Sequence, residues 1–542
     1  MPGRRILLIE PGYKNKYPPL GLMKIAAYHG PHGKRDHVTF IKGPDSRAEE
    51  TAWDRVYVTT LFSFEYRKIG ETIDYALKLV GGRADRVFVG GIAASLMTDR
   101  FKTEPKWRGV RFISGLLIEP PALALKLDEY SGDLYADDVD GVPIEDLIPD
   151  YSILEHVEYQ YPVHDAYFAY ASRGCIRKCH FCGVPKLEGA QRDSASLTAY
   201  VNGIRERHGE KRDLTLMDNN VVASPRFREI IAEIRDLGFQ KGATLRRPGE
   251  RGASKRRVDF NQGVDARILC KDPMYLKELA TICLKPLRIA FDHLGLRKPY
   301  EQAIRYAADA GLHELSNYML YNFRDDPADL FERMELNVKL NEELGIRIWS
   351  FPMRYQPTDL PQRSFVSDGW TRYELRSLQI ILQATHGVVS GEPAFFRRAF
   401  GWNAETFRRI LLMPQHFIFN RHWYDAAGGR DELFEYQGVM GRLSPSQRQE
   451  LLAKLSSCDP SRFRVLRDEE TDPHIKAALA FYVPISKADE REIWKKRGSK
   501  AMRQSVGDVP PPDEFVEDAG LDDDDTFVVP SRPSAIVGEM RL

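Results

Sequence analysis

The sequence predicts an α/β chain in three parts: an N-terminal doubly wound, Rossmann-like domain, then a partial (β/α)6 barrel, then a mainly helical C-terminal region. Two observations predict the first two parts. Over residues 1–145, short β-branched runs alternate with amphipathic stretches, the pattern of a parallel sheet with helices on both faces. Over 160–360 a grammar repeats: an apolar run ends in polar residues, a Ser or Asp precedes a Pro, and a helical stretch runs to a Gly. The third observation is the loss of strand patterns over 361–504, where helical periodicity takes over.

In the first domain, strands are expected at 5–9, 38–41, 56–60 and 86–90, and helices at Leu20–His29 and 66–80. Gly90 and Gly91 close the fourth strand. They suit either a tight turn or a ligand approaching the backbone. Residues 120–160, rich in Asp, Pro and Tyr, read as a linker. The barrel strands are expected at 167–171, 214–217, 258–261, 287–291, 317–321 and 347–351. Ser224-Pro225, Asp272-Pro273 and Asp326-Pro327 each open a helix, and Gly238 and Gly345 end two of them. Pro is favourable at the first helical position because its missing N–H has no intrahelical partner there, and Gly supplies the left-handed cap. An active site is expected at the C-terminal ends of these strands. Helices are expected at 373–385, 407–413 and 447–455. Residues 505–542, acidic and Pro-rich, are expected to be disordered.

The 542 residues carry 43% apolar side chains, and 78 Lys+Arg balance 78 Asp+Glu. A neutral chain has no global pull toward nucleic acid or an anionic membrane. No apolar run reaches transmembrane length, and Met1-Pro-Gly-Arg-Arg lacks a signal-peptide core, so a cytoplasmic protein without a membrane partner is expected. The stretch 241–257 is basic, with Arg246, Arg247, Arg251, Lys255, Arg256 and Arg257. It reads as a solvated insertion or as a contact for a phosphate-bearing substrate.

There are six cysteines, and three fall within eight positions: Cys175-Ile-Arg-Lys-Cys179-His-Phe-Cys182. In a reducing compartment such a cluster points to metal. Thiolates suit iron–sulfur clusters or zinc. A structural zinc site wants four ligands, and no fourth Cys or His pairs obviously with these; His180 is poorly directed within the loop. Three ligands on a four-iron cluster leave one iron open for substrate chemistry.

The spacing C-x3-C-x-aromatic-C, with Phe181 in the aromatic slot and Gly183 following, resembles the signature of the radical S-adenosylmethionine (SAM) superfamily. The resemblance implies a 4Fe–4S cluster on Cys175, Cys179 and Cys182, with SAM on the fourth iron. It implies reductive cleavage of SAM to a 5′-deoxyadenosyl radical that abstracts hydrogen from a substrate, with a reductase or flavodoxin-type electron donor. Cofactor contacts are expected at later strand ends: Asp218, Asn219 and Asn220; then Gln262, Asp265 and Arg267; then Asp292; then Asn322. The alternative for each is a helix cap or a buried hydrogen bond. Arg354, at the last strand end, is the candidate for the substrate. A further cluster, His416, Asn420, Arg421, His422 and Tyr424, reads as packing.

The N-terminal region, with Leu7-Leu-Ile-Glu-Pro-Gly, Tyr17-Pro-Pro-Leu-Gly-Leu22, Val58-Thr-Thr-Leu-Phe-Ser63 and Val87-Phe-Val-Gly-Gly91, resembles the cobalamin (B12)-binding-type domain of one radical SAM subgroup. No Asp-x-His-x-x-Gly element is present, so cobalamin without a histidine ligand and a domain that binds nothing both stay open. No cysteine precedes Cys175, and Cys270, Cys283 and Cys458 are widely spaced, which argues against a second cluster. The expected function is hydrogen abstraction from an unidentified substrate, or methyl transfer if cobalamin binds. An electron-transfer or sensing iron–sulfur protein and a zinc-stabilised nucleic-acid-binding protein are the alternatives.

Overall fold

The computed structural model describes residues 3–117, 143–194, 196–385, 387–493 and 495. The expected tail at 505–542 and much of the expected linker lie outside the described residues. The described chain folds as two compact units. One holds the residues up to Phe323 together with Lys339–Phe365; the other holds Arg324–Val338 and the residues from Val366 on.

The first unit opens with strand β1 (Arg5–Glu10), helix α1 (Leu20–His29), β2 (His37–Lys42), β3 (Arg55–Thr60), α2 (Tyr66–Leu79), β4 (Val87–Gly91) and β5 (Arg111–Phe112). The five strands are all parallel, in the order β2-β1-β3-β4-β5. Both faces are covered, so the strands read as near-continuous apolar runs. One face packs Leu7, Ile9, Val56, Val58, Val87 and Val89 against Ile69, Ile73 and Ala76 of α2. In this order the topological switch point lies between β1 and β3, where doubly wound folds leave a crevice at the strand ends.

Six further strands follow: β6 (Ala166–Ala169), β7 (Asp213–Leu216), β8 (Val258–Phe260), β9 (Leu287–Arg288), β10 (Glu314–Tyr321) and β11 (Arg347–Arg354). β6, β7 and β8 pair in parallel, as do β9, β10 and β11. Parallel bridges Val258↔Leu284 and Val264↔Ile289 join the two groups. The result is a six-stranded parallel array in chain order. Helices fill the crossovers: α3 (Leu197–His208), α4 (Phe227–Ile234), α5 (Met274–Leu279), α6 (Arg297–Asp309) and α7 (Pro327–Leu344). Proline opens α7 after Asp326, whose carboxylate accepts from the Asp329 N–H at 2.9 Å, and Gly345 with φ +64° ends it. At 224–225 the expected start is late: the helix begins at Phe227, because Val221–Ala223 forms a short 3-10 turn first.

The second unit is helical. Its first long helix, α8 (Arg372–Ala384), starts on a Thr371–Glu374 capping box, and Gly387 with φ +77° follows it. Tyr373, Tyr424, Tyr436 and Tyr482 are buried there beside Phe417 and Phe463. No described helix is long and apolar enough to cross a membrane.

Candidate functional site

The cysteine loop leaves β6 at the C-terminal end of the array. Its arms are pinned by an antiparallel pairing of Ser172–Arg173 with Arg192–Asp193. The root is fixed by Asp218. Its carboxylate, fully buried, accepts hydrogen bonds from Ala171 N (2.9 Å), Ser172 N (2.5 Å) and Ser172 Oγ (2.8 Å). Burial pushes its carboxyl up to about 6, against those hydrogen bonds. Glu188 Oε2 accepts from Gly174 N (2.7 Å) and Asn219 Nδ2 (2.9 Å). Arg173 lies between Glu145 and Glu188 with its guanidinium 3.7 Å over the Tyr170 ring. Lys24 of α1 reaches Glu145 at 2.9 Å. Burial works to raise the Glu145 carboxyl, but Lys24 and Arg173 hold it below its ordinary value.

The three cysteines are free thiols, each half-buried. The Arg177 N–H points at Cys175 Sγ and the Val184 N–H at Cys182 Sγ, both at 3.4 Å. Burial raises the Cys182 thiol, and the Cys179 and Cys175 sulfurs add to it, so the three groups feel one another's charge. Burial also raises Cys179, opposed by Arg267 and reinforced by Asp292. Among the described residues no set of three or more His, Cys, Asp and Glu side chains is grouped to hold a metal ion. His180 is exposed.

The aromatic slot packs across the barrel. Phe181 meets Phe323 edge-on (5.6 Å), Phe323 meets Tyr355 (4.7 Å), and Tyr355 meets Phe365 (5.4 Å). Gly183 opens the turn Val184–Leu187, and a Cβ there would sit 3.2 Å from Leu96 of the N-terminal sheet domain.

The expected cofactor contacts divide. Asp265, Arg267 and Asp292 gather beside Cys179. Asn220 is 3% exposed; its Oδ1 accepts from Asp265 N at 3.3 Å, and its Nδ2 is buried with no hydrogen-bond partner. Gln262 is exposed. Asp218 and Asn219 turn their side chains to the loop's own backbone and to Glu188. Asn322, at φ +64° and fully buried, donates through Nδ2 to Tyr355 O (3.1 Å) and Phe365 O (3.0 Å). Arg354 donates to the same Phe365 carbonyl at 3.1 Å. The sequence offered no sign of Gln191, whose Oε1 is buried without a partner while Nε2 donates to Asn220 O at 3.3 Å. Nor did it mark Glu188 or Arg177.

The Gly90-Gly91 pair does not need a ligand. Gly91 has φ +103°, and a Cβ there would lie 2.4 Å from Thr60 O on the neighbouring strand. The basic stretch is a hairpin, Thr244–Leu245 with Ser254–Lys255. Arg247 is spent on Asp165 (2.6 Å), and Arg256 on Glu210, Lys211 O and the Phe239 ring. In the second unit, His416 is buried against Phe417 and Tyr424.

No family model and no curated protein matches the chain. Among solved structures, partial likeness is found to proteins described as radical SAM enzymes. TsrM, a radical SAM methyltransferase from Kitasatospora setae, bound to cobalamin and a 4Fe–4S cluster, is 14% identical with a TM-score of 0.45 over 66% of this chain and 74% of that one. With tryptophan substrate and aza-SAM bound it matches over 71% and 77%. OxsB, a cobalamin-dependent SAM radical enzyme, bound to aqua-cobalamin and SAM, is 11% identical with a TM-score of 0.47 over 95% of this chain and 82% of that one.

Proposed function

We propose that the chain is a radical SAM enzyme acting on a small-molecule substrate. One observation carries this reading: three free thiols on a loop rooted at the first of six parallel strand ends, with backbone N–H groups directed at two of the sulfurs. When bound there, a 4Fe–4S cluster reduced by an electron donor would supply the one electron that splits SAM into methionine and a hydrogen-abstracting 5′-deoxyadenosyl radical. The residues of the chain prepare that chemistry. Cys175, Cys179 and Cys182 hold the cluster as thiolates, and N–H···S bonds favour the charged form. Asn220 Nδ2 and Gln191 Oε1, a buried donor and a buried acceptor without partners, suit the amino-acid end of SAM, since buried polar atoms rarely stay unpaired. Arg354 and the exposed Gln262 edge the mouth where substrate enters. A reductase or flavodoxin-type donor supplies electrons.

Cobalamin is the second reading, favoured by the crevice at the β1/β3 switch point. Phe62 and Phe64 stack there at 5.1 Å, and Ile92, 39% exposed, starts the helix after Gly91. Ile176 of the cysteine loop is 50% exposed. Exposed apolar side chains such as these suit a broad macrocycle, and no histidine need ligate it. Bound cobalamin would make methyl transfer the reaction.

Anaerobic reconstitution with iron and sulfide tests the cluster. About four irons per chain and a cluster signal that SAM perturbs are expected. Cys179→Ala should lose most of the iron. Full iron retention in that variant, or a wild-type chain that takes up none, contradicts the assignment.

A further inference from the structure

Between Ile176 and Phe181 the cysteine loop has little backbone to hold its shape. Among the described residues, the one backbone–backbone hydrogen bond there is accepted by Cys179 O from Cys182 N. Across the mouth, Asp265 sits on a firm platform. Gly263, at φ +82°, donates to Phe260 O (2.8 Å), Val264 N donates to Arg288 O (2.9 Å), and Asp265 N donates to Asn220 Oδ1 (3.3 Å). The Asp265 carboxylate is 8% exposed. One oxygen accepts from Arg177 Nε at 2.7 Å; the other accepts from Arg267 N (3.0 Å) and Nε (2.8 Å). Arg177 stands midway between Cys175 and Cys179.

We propose that Asp265 is a positioning residue that clasps the cysteine loop, through Arg177, onto the end of β8 and turns Arg267 toward Cys179. The inference rests on the reading of these cysteines as cluster ligands. The clasp joins three consecutive strand ends: Arg177 after β6, Asn220 after β7 and Asp265 after β8. It pins the first half of the loop, between Cys175 and Cys179, while Phe181 packs the second half against Phe323. Burial would raise the Asp265 carboxyl, but Arg267 and Arg177 outweigh it and keep the group ionised. A carboxylate this buried depends on its partners, and they on it. A loop clasped before metal arrives has less freedom to lose on assembling a cluster.

Metal-free protein, kept anaerobic, tests this by the iodoacetamide alkylation rate at each cysteine, read by mass spectrometry. Asp265→Asn and Arg177→Gln are each expected to speed alkylation of Cys175 and Cys179 on the order of tenfold, because the loop opens. The double variant should be no faster than either single one, and Asp265→Glu should restore most of the protection. Cys283, whose thiol burial pushes up to about 11, should stay slow and so report an intact fold. If Asp265→Asn exposes Cys283, Arg177→Gln, whose side chain is already a third exposed, carries the test. Wild-type rates in that variant, or rates that multiply in the double variant, overturn the proposal. The cluster reading is judged separately by iron content, so either can fail alone.

Discussion

At the residue scale, a carboxylate that accepts three hydrogen bonds without touching solvent ties its neighbours to its own charge. Asp218 is in that position at the root of the cysteine loop. Burial lifts its carboxyl from 3.8 to about 6. Between those values the folded chain holds a proton that the unfolded chain has released, so this group's contribution to stability falls as pH rises. The stability difference between wild type and Asp218→Asn should therefore shrink by up to about 3 kcal/mol from pH 4 to pH 7, measured by denaturant unfolding of the metal-free protein. A constant difference would count against the buried carboxylate. His416 works with the opposite sign. Burial lowers its ring to about 4 from 6.5, so the unfolded chain takes the proton first and stability is lost as pH falls from 6.5 toward 4. His416→Phe should flatten that acid limb, again by about 3 kcal/mol at most; an unchanged limb would show that this histidine is not the cause.

At the scale of elements, punctuation was legible and side-chain direction was not. The Asp326-Pro327 start and the Gly345 stop of α7 are local chemistry, visible in a few residues, and the structure has both. Asp218 and Asn322 also sit at strand ends, as the sequence indicated. Whether a strand-end side chain faces a ligand or its own backbone depends on which long-range carbonyls and N–H groups come near, here Ala171 and Ser172 for one and Phe365 for the other. No local pattern encodes that. Gly91 gives the same lesson, since its constraint is Thr60 on the next strand. Gly91→Ala is expected to cost about 2 kcal/mol or more, from positive φ and the clash combined. Gly90→Ala, whose nearest heavy-atom neighbour would be 3.7 Å away, should unfold close to the wild-type temperature. Equal melting temperatures for the two variants would contradict the assigned strand geometry.

At the scale of the molecule, the alternation of parallel strands and helices was readable because it rests on periodicity repeated over many residues, and the cysteine motif because its spacing is short; the two compact units do not follow the three expected parts, since Arg324–Val338 groups with the later helices. The tie between the sheet domain and the loop was not readable. It runs from Lys24 through Glu145 to Arg173 and Glu188, residues far apart in the chain with no shared pattern. That tie holds the cysteine loop at the strand ends of the six-stranded array. The direct measurement is 5′-deoxyadenosine released from SAM by the anaerobically reconstituted protein under dithionite, with Cys179→Ala beside it. The wild type should release 5′-deoxyadenosine and methionine, and the variant none above background. A wild-type chain that holds its cluster and binds SAM yet releases none, with or without candidate substrates and cobalamin, would contradict a SAM-cleaving site.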